Sequence, residues 1–127
     1  MKIEVAWDDE DNTVIRYTFM PGWTLEEFHQ VFDSVSDMIG QSPHRVIGII
    51  VDDSQGANPP SNALGAFRRT VSRGKLPLAI VGAGRMSKIL MKVAEEATTN
   101  KRPIFYAKTL EEARCILREI AGANPNE

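Results

Sequence analysis

The sequence is poor in residues that cross-link small proteins: it holds one cysteine, Cys115, and two histidines among 127 residues. One cysteine cannot close an intrachain disulfide, and no cysteine or histidine cluster has the spacing of a zinc site. No apolar run approaches the roughly 20 residues of a membrane-spanning helix, and the first residues lack the apolar segment of a signal peptide. We therefore expect a cytoplasmic protein that folds around a hydrophobic core, without a disulfide, metal, cofactor or membrane span.

Acidic residues are missing from one long stretch, since none occurs between Asp53 and Glu95. Residues 1–60 carry 11 acids and 3 bases, residues 61–127 carry 6 acids and 12 bases, and the net charge is −2. This polarity predicts that the two halves face each other, within one fold or between copies in a homodimer, or that the basic half binds an acidic protein or a phosphate. Nucleic acid is disfavoured, because the net charge is negative and Phe67 is the one aromatic residue in the basic stretch.

Hydrophobic periodicity predicts five strands. Apolar and polar residues alternate at 3–7 and at 15–19, which is typical of a β-hairpin with one covered face. Residues 46–51, 76–81 and 103–107 are continuously apolar, as expected of parallel strands covered on both faces.

Apolar residues at helical spacing follow every strand from the second onward. The first and last of these helices begin with the capping box Thr-Leu-Glu-Glu, at Thr24 and Thr109. The order β-β-α-β-α-β-α-β-α predicts one α/β domain over residues 1–122, built on an open mixed sheet with helices on both faces. Residues 123–127 are predicted to be a disordered tail.

Open α/β sheets bind ligands at the carboxyl ends of their parallel strands. Glycines at the end of the 76–81 strand let backbone amides approach an anion at the start of the next helix, and basic residues stand nearby. The loop lacks a complete dinucleotide-binding motif, because Ser87 stands where that motif needs its third glycine. The glycines and the basic residues are nevertheless compatible with an anion. An alternative function is therefore a small-anion, nucleotide or lipid-binding domain that uses this edge, through Gly82, Gly84, Arg85 and Lys108.

No catalytic constellation is recognisable. Ser54 and His44 flank opposite ends of the 46–51 strand, about 20 Å apart, which is too far for a nucleophile and its base. We therefore favour a non-enzymatic role and keep an unrecognised enzyme as a third hypothesis.

The strand ending at residues 51–54 and the helix opening at 61–65 resemble the STAS domains of anti-sigma-factor antagonists in the order of elements, over most of the chain. The resemblance implies that the serine at the start of this helix, Ser61, is phosphorylated by a partner kinase. Pro60 stands where the family motif has aspartate or serine. Some STAS-like proteins lack the switch and serve as interaction or ligand-sensing modules, and the fold also resembles lipid-binding relatives.

The first functional hypothesis is thus a regulatory module that binds a protein partner such as a kinase or an anti-sigma-like factor. Ser61 or Asn62 is the expected N-cap of the basic helix, which carries the charges for that contact. The predicted partner-binding residues are Ser54, Asn62, Arg68, Arg69 and Arg73.

Overall fold

The computed structural model describes residues 2–82, 84–96 and 102–123. The elements follow the predicted order: β1 (Ile3–Trp7), β2 (Val14–Phe19), α1 (Leu25–Gln41), β3 (Gly48–Asp52), α2 (Ala63–Arg73), β4 (Leu78–Val81), α3 (Arg85–Glu96), β5 (Ile104–Ala107) and α4 (Leu110–Ala123). Apart from Ala123, which ends α4, the predicted tail lies outside the described residues.

One sheet carries all five strands in the order β1-β2-β3-β4-β5. β1 is antiparallel to β2, whereas the later neighbours are parallel. Parallel neighbours need a crossover connection, which α1, α2 and α3 supply in turn. The predicted α/β architecture with an open mixed sheet is confirmed.

The helices cover both faces of the sheet unequally. Tyr17 and Phe19 of β2 point to the face that packs against α1, α2 and α3. Because neighbouring side chains of a strand point to opposite faces, Ile50 of β3 faces the other way, where it packs with Ala113 and Leu117 of α4. In the described part of the chain, three helices lie on one face and one on the other, which confirms the predicted placement on both faces.

Helices α1 and α4 begin where the capping boxes predict. The Thr24 hydroxyl accepts a hydrogen bond from the Glu27 amide at 3.2 Å, and the Thr109 hydroxyl accepts one from the Glu112 amide at 3.1 Å. The Glu112 carboxylate accepts from the Lys108 amide rather than from that of the cap residue. The local sequence therefore sets both helix starts, as predicted.

An aromatic cluster joins the start of α1 to α2. Trp23 stacks on Phe67 with ring centres 5.9 Å apart, and Phe28 meets Phe67 edge-on at 5.4 Å. Phe19 of β2 meets the Trp23 ring in a T-shaped contact at 5.0 Å. These rings fix the carboxyl-edge end of α1 against α2.

Candidate functional site

The three-helix face is not filled between α1 and α2. A cavity of about 250 Å³ lies there, over β2, β3 and β4. Apolar side chains supply most of its lining, among them Phe28, Phe32, Val51, Phe67, Leu78 and Leu90. Protein interiors pack as densely as organic crystals, with few voids larger than a water molecule. A gap of this size therefore needs an explanation in the side chains that line it.

Small and polar residues on the two helices create the gap. Ser36 of α1 and Thr70 of α2 line the cavity at positions where larger apolar side chains would fill it. Gly74, the C-cap of α2, also lines it and adds no side chain. The walls thus leave space instead of interlocking.

The exposed lining residues mark where the cavity meets solvent. Ser36 and Ile39 lie on α1, while Arg73 and Lys75 lie at the end of α2 and just after it. Ile39 is 38% exposed, although it is a large apolar residue. Because α1 leads into β3 and Lys75 leads into β4, this mouth lies at the amino ends of the parallel strands. The sequence argument placed ligands at the opposite edge.

Arg102 brings a positive charge to the same cavity. Its Nε donates to the Leu76 carbonyl at 2.6 Å, and one Nη donates to the Val71 carbonyl at 3.1 Å. A Cβ at Gly74 would lie 2.7 Å from the Arg102 Cζ, so only glycine leaves room for the guanidinium in this position. Burial lowers the pKa of Arg102, and the neighbouring Tyr17 opposes that shift.

Tyr17 adds a phenol to this lining. The residue is 7% exposed and lies in the middle of β2, paired with Val51 of β3. Burial raises the pKa of Tyr17 far above its usual value of 10.0, against the opposing charge of Arg102. The phenol therefore stays protonated and can donate a hydrogen bond at any physiological pH. Within the described part of the chain, no aspartate or glutamate lines the cavity.

The predicted anion-binding residues do gather at the carboxyl edge. Gly82 follows β4, Gly84 directly precedes α3, Arg85 begins α3, and Lys108 follows the neighbouring β5. Both basic side chains are exposed. Ala83, which belongs to the same predicted loop, lies outside the described residues.

A carboxylate of the chain itself occupies the start of α3. Asp53, only 1% exposed, accepts hydrogen bonds through Oδ2 from the Ser87 amide at 3.1 Å and the Ser87 hydroxyl at 2.8 Å. Gly82 has a φ of +126°, and a Cβ there would lie 2.9 Å from the Asp53 carbonyl oxygen. These close contacts account for Gly82 without an external anion, so ligand binding at this loop stays a prediction.

The predicted partner-binding residues extend from the loop after β3 to the end of α2 rather than gathering in one patch. Ser54 and Asn62 are exposed at the carboxyl edge, whereas Arg73 lies at the cavity mouth. Arg68 makes two hydrogen bonds to the Glu96 carboxylate of α3, at 2.7 and 3.0 Å. Arg69 is exposed on the same helix.

The start of α2 confirms the predicted N-cap position but not side-chain capping. Asn62 occupies the N-cap position with a φ of +70°, and its side chain makes no capping hydrogen bond. Ser61 precedes it and is exposed. The phosphorylation of Ser61 stays a prediction. Cys115 of α4 is exposed.

Sequence reasoning missed the cavity and two polar residues of its lining, Tyr17 and Arg102. Tyr17 lies between Ile15 and Phe19 on the inward face of β2, and a buried tyrosine usually needs a partner for its hydroxyl. The inward position of Tyr17 in the strand could therefore have indicated a polar group inside the core. Arg102 carried none, because its contacts with Leu76 and Val71 join distant parts of the chain.

Within the described ranges, no helix is long and apolar enough to cross a membrane, and no group of three or more histidine, cysteine or acidic side chains is placed to hold a metal ion. No family model matches the chain, and no curated protein or solved structure is similar enough to count as a match. The STAS-like resemblance therefore stays a prediction that rests on the order of elements.

Proposed function

We propose that this protein is a small-molecule-binding module that takes up an apolar or amphipathic compound between α1 and α2. The cavity of about 250 Å³ carries this proposal. Ligand sites are typically concave and mostly apolar, with a few placed polar groups, and this cavity has that composition. It also meets solvent at Ser36 and Lys75, which gives a ligand a way in.

The volume limits the size of the part of the ligand that the cavity can enclose. A water molecule occupies about 30 Å³ in the liquid, so the cavity corresponds to roughly eight water volumes. Typical sites for drug-sized molecules are larger, at about 300–1,000 Å³. The ligand is therefore a compound with roughly ten non-hydrogen atoms, or a larger one whose remainder stays in solvent.

The proposal is compatible with the regulatory role expected from the STAS-like resemblance, which includes ligand-sensing modules. Arg73 belongs both to the cavity mouth and to the predicted partner surface of α2. A ligand at the mouth would thus lie beside that surface. Protein binding by α2, and the kinase or anti-sigma-like partner, remain predictions.

The test uses three eight-carbon probes that differ in their head group: octanoate, 1-octanol and octylammonium. Isothermal titration calorimetry should detect saturable binding of at least one probe to the wild-type protein. Ser36→Phe, which places a ring at the mouth, should abolish this binding. Ser34→Phe is the matched control, because Ser34 is an exposed residue of α1 that does not line the cavity. Binding of no probe, or equal binding to both variants, would overturn the proposal.

A further inference from the structure

We infer that the ligand of this cavity is a small monocarboxylate, whose apolar body contacts the aromatic walls and whose carboxylate is held by Arg102 and Tyr17. This inference rests on the proposed function and adds the chemical class of the ligand. Three observations support it: the sign of the charges around the cavity, the way in which Arg102 is held, and the chemistry of Tyr17.

The charges around the cavity have one sign. Arg73, Lys75 and Arg102 line it, and no acidic residue does within the described chain. The fold has acidic residues in excess, with a net charge of −2, so this local bias is not a reflection of overall composition. A positively charged lining favours an anionic ligand and disfavours a cationic one.

Arg102 is the cation placed to determine affinity. Arg73 and Lys75 are exposed, so solvent and salt screen their attraction for a bound anion. Arg102 is partly buried, where an ionic interaction is less screened. Among the described residues, the carbonyls of Leu76 and Val71 accept hydrogen bonds from its guanidinium, and the absence of a Cβ at Gly74 makes the space for it. Affinity therefore depends mainly on Arg102, while the two exposed cations attract the ligand to the mouth.

The Tyr17 hydroxyl is suited to donate a hydrogen bond to the second oxygen of a carboxylate. Burial raises its pKa, so the hydroxyl keeps its proton and donates rather than repelling an anion. A planar guanidinium and a single hydroxyl together suit two oxygens in one plane. A small monocarboxylate also fits the volume, since its head group adds only three atoms to the apolar body.

The experiment compares the same three eight-carbon probes by titration calorimetry. Octanoate should bind the wild-type protein about tenfold or more tightly than 1-octanol, and octylammonium should bind most weakly. Arg102→Met should remove the preference for octanoate while leaving 1-octanol binding intact. Arg69→Met is the matched control, because Arg69 is an exposed arginine of α2 that does not line the cavity.

Tyr17→Phe keeps the ring and provides a variant that folds even if Arg102→Met does not. It should weaken octanoate binding about tenfold and leave 1-octanol binding unchanged. Equal affinities of octanoate and 1-octanol for the wild-type protein would overturn the inference and leave the proposed function standing, and so would an octanoate preference that Tyr17→Phe leaves unchanged. Binding of no probe would overturn both.

Discussion

The carboxylate of Asp8, in the turn between β1 and β2, accepts two hydrogen bonds from the guanidinium of Arg114 on α4, 106 residues later in the sequence, at 2.7 and 2.8 Å. Arg16 of β2 donates a third, at 2.6 Å. The Asp8 side chain is only 1% exposed, while the two arginines are about 30% exposed. This cluster joins the hairpin to the helix that covers the opposite face of the sheet.

Replacing Asp8 should therefore destabilise the fold. In Asp8→Asn the two arginines lose their charged acceptor in a largely buried position, and we expect a loss of about 2–3 kcal/mol. Urea unfolding followed by circular dichroism measures it. Asp11→Asn changes an exposed acid of the same turn and should leave the midpoint unchanged. Equal midpoints for the two variants would contradict a stabilising role for the cluster.

The contribution of Asp8 should also depend on pH. The hydrogen bond from Arg114 holds the pKa of Asp8 below its usual value of 3.8, and Arg16 adds to this shift while burial opposes it. Because the pKa is lower in the folded state, the stabilisation is fully present above about pH 4 and is lost as pH falls through the folded value. The difference in unfolding free energy between wild type and Asp8→Asn should shrink below that pH. A difference that stays constant from neutral pH to about pH 3 would contradict the assignment.

Asp53 should stabilise the start of α3. Asp53→Ala removes the acceptor of the Ser87 amide and hydroxyl in a buried position, at an expected cost of about 1–3 kcal/mol. Amide hydrogen exchange at Ser87 should be faster in Asp53→Ala than in the wild-type protein. Asp52→Ala is the matched control, since that side chain bonds only the Ser54 amide among the described residues. Unchanged exchange at Ser87 in Asp53→Ala would show that the carboxylate does not hold this helix start.

Replacement of two glycines by alanine should change the stability of the fold in opposite directions. A Cβ at Gly48 of β3 would lie 3.1 Å from the Cγ of Leu117, so Gly48→Ala crowds the α4 face and should cost about 1–3 kcal/mol. At Gly40 of α1 a Cβ meets nothing within 4 Å, so Gly40→Ala should stabilise the helix by about 0.5–1 kcal/mol. Thermal unfolding would measure both, and changes of the same sign would contradict the close approach of α4 to β3.

The elements could be predicted from the sequence because their signals are local. Thr24 and Thr109 mark helix starts within a few residues, and the alternation around Tyr17 marks a strand. The Asp8 cluster could not be predicted, because Arg114 lies 106 residues away from Asp8 in the sequence. At the start of α2 the predicted N-cap position is right for Asn62, but its positive φ and the lack of a side-chain capping hydrogen bond were not predictable from the residue type.

The candidate site was only partly accessible to sequence reasoning. The carboxyl-edge junctions follow from strand order alone, and Gly82 and Lys108 lie where that rule places them. Whether a helix start is open to a ligand depends on tertiary contacts, and here Asp53 takes the Ser87 amide. A cavity forms where the side chains of neighbouring helices leave space between them. Hydrophobic periodicity shows which face of a helix is buried, but it does not show that space is left beside Ser36.

Trp23 should report on occupancy of the cavity. Its ring centre lies 5.9 Å from that of Phe67 and 6.0 Å from that of Phe28, and both phenylalanines line the cavity. The sequence has two tryptophans, so Trp7→Phe leaves Trp23 as the single indole emitter. Trp23 is 3% exposed, so its emission should lie at the short wavelengths of a buried indole before any ligand is added.

Octanoate should then change the Trp23 emission of Trp7→Phe in a saturable way, because a ligand between α1 and α2 alters the packing of both phenylalanine rings. The half-saturation concentration should equal the calorimetric Kd of the same variant. Adding Ser36→Phe to Trp7→Phe should abolish the response, whereas adding Ser34→Phe should preserve it. A calorimetric binding curve without any change in Trp23 emission would place the bound octanoate away from the aromatic walls, on another surface of the protein.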